Sequence, residues 1–261
     1  MQMFSVPGAR LASEYSDEGG PAVVQLHGLT SSRTRDRVLD LDLGRGLSGT
    51  RLLRFDARGH GESHGRPVAE DYQWTRLAQD LLELLEHRFP GEPVHGVGPS
   101  MGCATLLHAA VLEPDRFSGF TLVVPPTAWE TRKSKAHDYH RAADLVERHG
   151  VEALIRAERM APSPPATQGS PETAPDVKES LLPSVLRGAA LSDLPSHERL
   201  AALEIPTTIL AWADDPAHPV STAHELARLL DCRDLRIAAT RDEVAQWPSV
   251  LFQDAHQPRR R

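Results

Sequence analysis

Short apolar runs alternate with amphipathic stretches along this 261-residue chain. That alternation predicts an α/β fold, in which a mostly parallel central sheet is flanked by helices. Residues 22–26 and 51–55 have the apolar composition of buried strands, and leucines between residues 72 and 89 recur with a helical period. A chain of this length fits a single large domain that buries about three quarters of the surface its unfolded form exposes.

The rest of the chain continues the alternation. A helix is predicted over residues 101–112, and a closing helix begins within residues 244–252. Four more short apolar runs bounded by turn residues are predicted to be strands: 93–98, 120–124, 207–212 and 235–238. Strands separated by helices in this way favour parallel pairing.

Residues 127–203 interrupt this pattern. The segment contains helical patterns at 139–149 and 151–160, followed by a run rich in Pro, Ser, Thr and Ala over 161–175. It is too long for a simple loop between two strands. We therefore predict a core formed by residues 1–126 and 204–261, with residues 127–203 inserted as a helical cap that includes a mobile linker.

Composition excludes several classes of function. The net charge of −7 disfavours general nucleic-acid binding, and the tail Arg259-Arg260-Arg261 is expected to be a solvated terminus. No run approaches the ~18 apolar residues of a membrane helix, and residues 1–6 lack the pattern of a signal peptide. We expect a cytoplasmic protein with a small-molecule substrate and neither a nucleic-acid nor a membrane partner; a homo-oligomer stays possible.

No cofactor or metal is expected. Cys103 and Cys232 are too few and too far apart for a disulfide framework or a metal site. Gly96-Val97-Gly98 follows a predicted strand but lacks the third glycine of a dinucleotide-binding fingerprint.

The sequence Gly98-Pro99-Ser100-Met101-Gly102 is a G-x-S-x-G match at a predicted strand-to-helix junction. A nucleophilic serine needs a sharp turn there, because the turn projects its hydroxyl above the sheet and small neighbours keep the backbone clear. The alternative is an ordinary helix N-cap serine. The strand before it and the helix after it favour the nucleophile.

The segment from Phe55 to Ser63 resembles the D-x-R-G-H-G-x-S turn of the α/β-hydrolase superfamily. With Leu26-His27-Gly28 and the Ser100 turn, it repeats the order of motifs in that family over the first half of the chain. The resemblance implies the α/β-hydrolase fold of a capped serine hydrolase similar to enol-lactonases and esterases. It also implies a serine, acid and histidine triad in that chain order.

This resemblance assigns further roles. The backbone amides of Leu29 and Met101 would form the oxyanion hole, while the side chain of His27 is expected to be structural. The acid is expected just after the strand 207–212, where Asp215 fits best and Asp214 is its neighbour. The alternative is that both aspartates only form a turn.

The usual C-terminal histidine is missing. Residues 238–248 contain none, and Glu243 or Asp242 stands where the family has its base. His218, three residues after Asp215, is our candidate replacement, against the alternative of a solvent-exposed loop histidine. His256 is disfavoured because it follows the closing helix. A hydrogen bond between His218 Nε2 and Ser100 Oγ would distinguish His218 from the carboxylates.

Three functions therefore stay open. The first is a serine hydrolase of a small ester, lactone or thioester, with Ser100, His218 and Asp215 as its catalytic residues. The second is a lyase or cyclase of the same fold, which would use the oxyanion hole without a complete triad. The third is a ligand-binding protein with a degenerate triad, since one fold hosts many functions.

Overall fold

The computed structural model describes residues 1–160, 163–230 and 232–257. The tail Arg259–Arg261 and the first two residues of the predicted linker lie outside this part of the chain. Within it, eight strands form one sheet. They are β1 (Gln2–Val6), β2 (Ala9–Asp17), β3 (Ala22–Gln25), β4 (Arg51–Phe55), β5 (Val94–Pro99), β6 (Phe117–Val123), β7 (Thr207–Trp212) and β8 (Cys232–Ala238).

The strands are ordered β1-β2-β4-β3-β5-β6-β7-β8 across the sheet. The pairs β1/β2 and β2/β4 are antiparallel, and the five remaining pairs, from β4/β3 to β7/β8, are parallel. The predicted mostly parallel sheet is therefore confirmed. The strand order reverses between β3 and β5, and in open α/β sheets ligands bind at the carboxyl ends of the strands beside such a reversal.

Helices cover the sheet and also fill the segment between β6 and β7. They are α1 (Arg33–Val38), α2 (Trp74–Arg88), α3 (Met101–Leu112), α4 (Arg132–His149), α5 (Val151–Arg159), α6 (Leu182–Ala190), α7 (His197–Ala201), α8 (Val220–Leu229), α9 (Arg241–Val244) and α10 (Trp247–His256). Within the described ranges, no helix is both long enough and apolar enough to cross a lipid bilayer.

Several elements differ from the sequence-based expectation: helices α1, α6, α7 and α8 were not predicted, and α4 begins earlier than expected, at Arg132. The sequence did not predict β1 and β2, which form an antiparallel hairpin joined at Pro7-Gly8; Gly8 has a φ of 81°. The closing helix is also divided, because α9 ends at Val244 and a new helix begins at Trp247. Pro248 lies in the first turn of α10, where a missing amide hydrogen is tolerated.

The segment between β6 and β7 has a hydrophobic cluster largely of its own. Its buried members include Val146 of α4, Leu154 of α5 and Leu182 of α6, and Tyr72 joins them from outside the segment. This packing agrees with a helical insertion, although the exact division at residues 127 and 203 stays a prediction.

The predicted mobile linker is not free of the rest of the molecule. The side chain of Arg35 donates hydrogen bonds to Thr173 Oγ1 at 2.8 Å and to the Thr173 carbonyl at 3.2 Å. Immediately after the linker, the Asp176 amide donates to the Thr30 carbonyl at 2.8 Å. The distal end of the run is therefore fastened to the loop that follows β3.

The motif between Phe55 and Ser63 is structural in its contacts. Arg58 is fully buried and forms two hydrogen bonds of 2.7 Å with the carboxylate of Asp80 on α2. Burial raises the pKa of Asp80, and the Arg58 guanidinium opposes that shift. Each group also has a longer ion pair, Asp80 with Arg76 at 3.6 Å and Arg58 with Asp71 at 3.5 Å, so the two 2.7 Å bonds are the main but not the sole compensation of these charges.

We predict that Arg58→Ala lowers the free energy of unfolding by about 3–5 kcal/mol, because it leaves the buried Asp80 carboxylate with only its longer ion pair to Arg76 at 3.6 Å. Urea denaturation followed by circular dichroism measures this change. The matched control is Arg228→Ala, which removes an exposed ion pair with Glu225 and should change stability by less than about 1 kcal/mol. Equal effects of the two substitutions would contradict the prediction.

Candidate active site

Ser100 lies at a sharp turn between β5 and α3. Its φ is 51° and its ψ is −105°, an unfavourable conformation for a residue with a side chain. The Ser100 amide donates to the Val123 carbonyl of β6 at 2.9 Å, and the Ser100 carbonyl accepts from Ala104 in α3. Hydrogen bonds on both sides therefore hold the strained residue in place.

Neighbouring glycines make this turn sterically possible. A Cβ atom added to Gly98 would lie 3.0 Å from Leu26 Cβ, and one added to Gly102 would lie 3.0 Å from the same atom. The end of β3 thus runs directly against the serine turn. This close approach explains why both outer positions of the G-x-S-x-G match are glycine.

The structure brings Ser100, His218 and Asp215 together. His218 Nε2 lies 2.9 Å from Ser100 Oγ, and His218 Nδ1 lies 2.7 Å from Asp215 Oδ2. A carboxylate can only accept, so Nδ1 carries the proton, and Nε2 is left to accept from the serine hydroxyl. This is the arrangement in which a histidine can act as a general base toward serine.

Asp215 is positioned by its own loop. Its Oδ1 accepts from the Ala217 amide at 2.8 Å, and its backbone carbonyl accepts from the His218 amide at 3.2 Å. Burial alone would raise the pKa of Asp215, but the bond from His218 and the backbone amides outweigh it and lower the pKa. The acid therefore stays ionised beside the imidazole.

The two carboxylates considered as replacement bases are not brought to Ser100. Glu243 is exposed, and its side chain accepts from the amides of Ala239 and Thr240 at 2.7 and 2.9 Å. It is part of a capping box at the start of α9, and the Ala239 bond contributes most to lowering its pKa. Asp242 is exposed in the same helix. Both acids stand at a helix N-terminus, where negative charge is favourable.

The loop after β3 passes beside the serine turn. A Cβ atom added to Gly28 would lie 4.0 Å from Ser100 Cβ. His27 is buried, and its Nε2 accepts from the Ala57 amide at 2.9 Å while Nδ1 faces the Gly28 carbonyl at 2.8 Å. Desolvation lowers the pKa of His27, so the ring is neutral and both nitrogens are used structurally.

Two backbone amides close to the serine turn, those of Leu29 and Met101, have no acceptor within the described fold. Among the described residues, the Leu29 amide hydrogen has no acceptor, and the Met101 amide is the first of α3, where no carbonyl of the same helix can accept from it. Leu29 borders the same cavity as Ser100. Both amides are thus left without a backbone acceptor among the described residues.

A cavity of about 380 Å³ opens beside Ser100 and His218. This volume is within the range of small-molecule sites. Its apolar wall includes Leu154 and Leu186 from the segment between β6 and β7, and Trp212 from the end of β7. The ring of Trp212 packs edge-on against His218, with centroids 5.9 Å apart, and stacks on the buried Trp247.

Sequence analysis did not single out Asp36, which borders this cavity but is only 1% exposed. Its Oδ1 accepts from Ser31 Oγ at 2.5 Å, and its Oδ2 has no partner among the described residues. Burial raises the pKa of Asp36 to about 7, against the opposing bond from Ser31. The local sequence did not indicate that Asp36 is buried and partly protonated beside the Ser100 cavity. Charged residues flank it on both sides, which is the pattern of an exposed segment.

The described part of the chain contains no cluster of three or more His, Cys, Asp or Glu side chains able to hold a metal ion. Cys103 is buried, and its thiol lies 3.0 Å from the Gly98 carbonyl; burial raises its pKa. It therefore supports the serine turn as a neutral core residue.

Comparison with known proteins agrees with this architecture. The sequence model of a family described as having the alpha/beta hydrolase fold matches residues 21–164, which is more than half of the chain. The chain belongs to the α/β hydrolase fold family. The resemblance inferred from the three motifs is confirmed, and so is the predicted α/β-hydrolase fold.

Two curated relatives belong to different enzyme classes. The chain is 31% identical over 146 residues to a Bacillus subtilis protein named "Putative 2-succinyl-6-hydroxy-2,4-cyclohexadiene-1-carboxylate synthase"; the match covers 54% of this α/β hydrolase chain and 52% of the relative. It is 24% identical over 195 residues to 3-oxoadipate enol-lactonase 1 of Acinetobacter baylyi, covering 72% and 70% of the two chains. The chain thus spans about half of the first relative.

A solved esterase shares the fold throughout. The structure of EaEST from Exiguobacterium antarcticum superposes with a TM-score of 0.76, at 18% identity, over 98% of each chain. This likeness extends to the C-terminal region that the family model does not cover. The α/β hydrolase fold therefore includes β7 and β8, which flank the loop bearing Asp215 and His218.

We predict that Glu243→Gln and Asp242→Asn leave the rate of covalent labelling of Ser100 by a fluorophosphonate within about twofold of wild type, because exposed capping residues do not reach the serine. Intact-mass spectrometry over time measures the rate. A loss of labelling with either substitution, in protein that remains folded by circular dichroism, would restore that carboxylate as the base.

We also predict a pH effect on stability from Asp36. Its raised pKa means that the folded chain binds a proton between about pH 4 and pH 7 that the unfolded chain does not bind. Its contribution to stability is therefore lost as pH rises through this window. Urea midpoints measured at about pH 5 and about pH 8 should show that Asp36→Asn gains stability relative to wild type at the higher pH. A difference independent of pH would contradict this.

Proposed function

We propose that this protein is a serine hydrolase acting on a small ester, lactone or thioester. The observation that supports it most directly is the continuous hydrogen-bonded chain from Ser100 Oγ through His218 to Asp215, at 2.9 and 2.7 Å. It lies beside a cavity that is lined by apolar side chains and by the charged Lys135, Asp138 and Glu158, and next to backbone amides without a backbone acceptor. The relatives named as a lactonase and an esterase support the same class of reaction.

In this mechanism, His218 Nε2 takes the Ser100 proton as the hydroxyl oxygen attacks the substrate carbonyl. The amides of Leu29 and Met101 stabilise the oxyanion, and each such donor is typically worth about 3 kcal/mol. His218 then protonates the leaving oxygen or sulfur, which gives an acyl-enzyme. A water molecule, deprotonated by His218, attacks the acyl carbonyl; the bond to Ser100 Oγ then breaks, His218 returns the proton to Ser100, and the acid is released.

Asp215 stabilises the imidazolium that forms in each half-reaction. Its lowered pKa keeps it ionised, and its bond to Nδ1 fixes the tautomer that leaves Nε2 free to accept. The proposal therefore places the acid and the base on one loop after β7. Residues 127–203 would act as the cap, since Tyr139, Leu154 and Leu186 of this segment border the cavity over Ser100.

A second candidate is a non-hydrolytic reaction at the same site. The relative named as a cyclohexadiene-carboxylate synthase favours it, because that protein is named as a synthase and not as a hydrolase. In that case Ser100 and His218 would remove a proton from the substrate, and the two amides would stabilise the resulting enolate. No acyl-enzyme would form.

We predict that a fluorophosphonate labels wild-type protein once, at Ser100. Ser100→Ala should abolish labelling, and His218→Ala should slow it by about 10³-fold or more, because the serine loses its general base. Asp215→Asn should slow it by up to about 10⁴-fold, since the amide favours the wrong tautomer. Intact-mass spectrometry and peptide mapping measure these outcomes.

Hydrolysis of p-nitrophenyl esters with a short acyl chain tests turnover, and rapid mixing tests for a burst from the acyl-enzyme. His256→Ala serves as the control, because its Nδ1 contacts only the Phe252 carbonyl within α10. Unchanged labelling in His218→Ala would remove His218 from the mechanism. Labelling without any ester, lactone or thioester turnover would favour the second candidate.

A further inference from the structure

The loop that carries Leu29 contains a strained turn. The Ser31 amide donates to the Gly28 carbonyl at 3.1 Å, which closes a four-residue turn with Leu29 and Thr30 at its centre. Thr30 has a φ of 59°, in the left-handed region that disfavours β-branched residues. The orientation of the Leu29 amide depends on this turn keeping its conformation.

Two donors hold the carbonyl of the strained residue. The Asp176 amide and Arg35 Nη1 each donate to the Thr30 carbonyl at 2.8 Å. Arg35 Nη1 also donates to Thr30 Oγ1 at 3.1 Å. The backbone and the side chain of Thr30 are therefore fixed by the same guanidinium.

The other end of this arrangement is a segment that we call the strap, residues 173–177. The guanidinium of Arg35 binds the strap through Thr173, and Ser32 Oγ donates to Asp176 Oδ2 at 2.5 Å. The Asp176 carbonyl accepts from the Gly61 amide at 2.7 Å. The strap is thus bonded both to the loop after β3 and to the turn after β4.

The guanidinium of Arg35 joins two segments by hydrogen bonds to several fixed acceptors, an arrangement that we call the clamp. Its side-chain hydrogen bonds go to Thr30 and Thr173, which are uncharged, and among the described residues no carboxylate lies within ion-pairing distance of it. A planar guanidinium satisfies several fixed acceptors at once, which the single ammonium of lysine cannot do. Its geometry, rather than its charge, is what these contacts require.

We propose that Arg35 is a positioning residue for the oxyanion hole: with the strap, it holds the Thr30 turn so that the Leu29 amide faces the substrate carbonyl. This inference rests on the proposed hydrolase function. It makes the geometry of the Leu29 amide depend on a strap contributed by the segment between β6 and β7. Arg35 also borders the cavity beside Ser100, but its side-chain hydrogen bonds go to Thr30 and Thr173, so in this proposal it acts through the Leu29 turn and not on the reacting atoms.

The first test follows turnover of p-nitrophenyl butyrate. Arg35→Ala and Arg35→Lys should both lower kcat about tenfold or more while KM changes by less than about twofold, because a misplaced donor weakens the transition state and not ground-state binding. Thr173→Val should lower kcat in the same direction, and Thr173→Ser should restore it. Arg37→Ala is the matched control on the same helix, since Arg37 pairs with Glu14 and Asp42.

The Thr30→Gly variant provides a second background, in which a positioning role of Arg35 can be distinguished from a general loss of structure. Glycine adopts positive φ without strain, so Thr30→Gly should keep the turn formed with less help from Arg35. The loss of kcat caused by Arg35→Ala should then be several-fold smaller in the Thr30→Gly background. Equal losses in both backgrounds, or a rise in KM at unchanged kcat, would overturn the proposal.

A third measurement does not depend on activity. Hydrogen exchange followed by mass spectrometry should show the peptide containing the Ser31 amide exchanging about tenfold faster in Arg35→Ala than in wild type or Arg37→Ala. Unchanged exchange would overturn the clamp even if the protein is a hydrolase. Faster exchange in a protein whose wild type is not labelled by a fluorophosphonate would reject the proposed hydrolase function and retain the clamp.

Discussion

The close approach of the end of β3 to the turn between β5 and α3 is the constraint on which the site depends. Leu26 presses against the positions of Gly98 and Gly102, so neither can carry a side chain without movement. Ser100 between them has a positive φ, a strain of about 1–3 kcal/mol that the neighbouring strand and helix must offset. Since the sheet order reverses at this point, the same approach creates the crevice and places the loop after β3 beside the serine.

The three arginines of α1 connect this crevice to the rest of the fold, and Arg33 and Arg37 both pair with Glu14 of β2. Arg33 binds the buried carboxylate of Asp56 at 3.1 Å, which ties α1 to the turn after β4. Arg35 binds the Thr30 turn and the strap, and Arg37 pairs with Glu14 of β2. A short helix of six residues, marginal on its own, is therefore fixed on three sides by charged side chains.

The sequence predicted the structure correctly where a local residue pattern is compatible with only one local structure. The glycines around Ser100 and the alternating apolar runs predicted the serine turn and six strands of the parallel region. The hairpin of β1 and β2 was missed because its residues alternate weakly in hydropathy, although Pro7-Gly8 is a turn signal. The first part of the strap, residues 173–175, belongs to the run 161–175 that was predicted to be a mobile linker because of its composition. Its order comes from Arg35 and Ser32, which lie some 140 positions away in sequence and are invisible to a local pattern.

The position of His218 has a simple physical rationale. In the proposed triad, the acid and the base lie three residues apart, and the Asp215 carbonyl and Oδ1 accept from amides within the same short loop. The Asp215–His218 bond therefore forms within one turn and requires no alignment between the ends of β7 and β8. The sheet sets only the distance from this loop to Ser100. It does so because β6 pairs with both β5 and β7 and thereby fixes the spacing between these two strands. In the proposed triad the loop after β8 has no part in the reaction, which is consistent with the use of Glu243 there to cap α9.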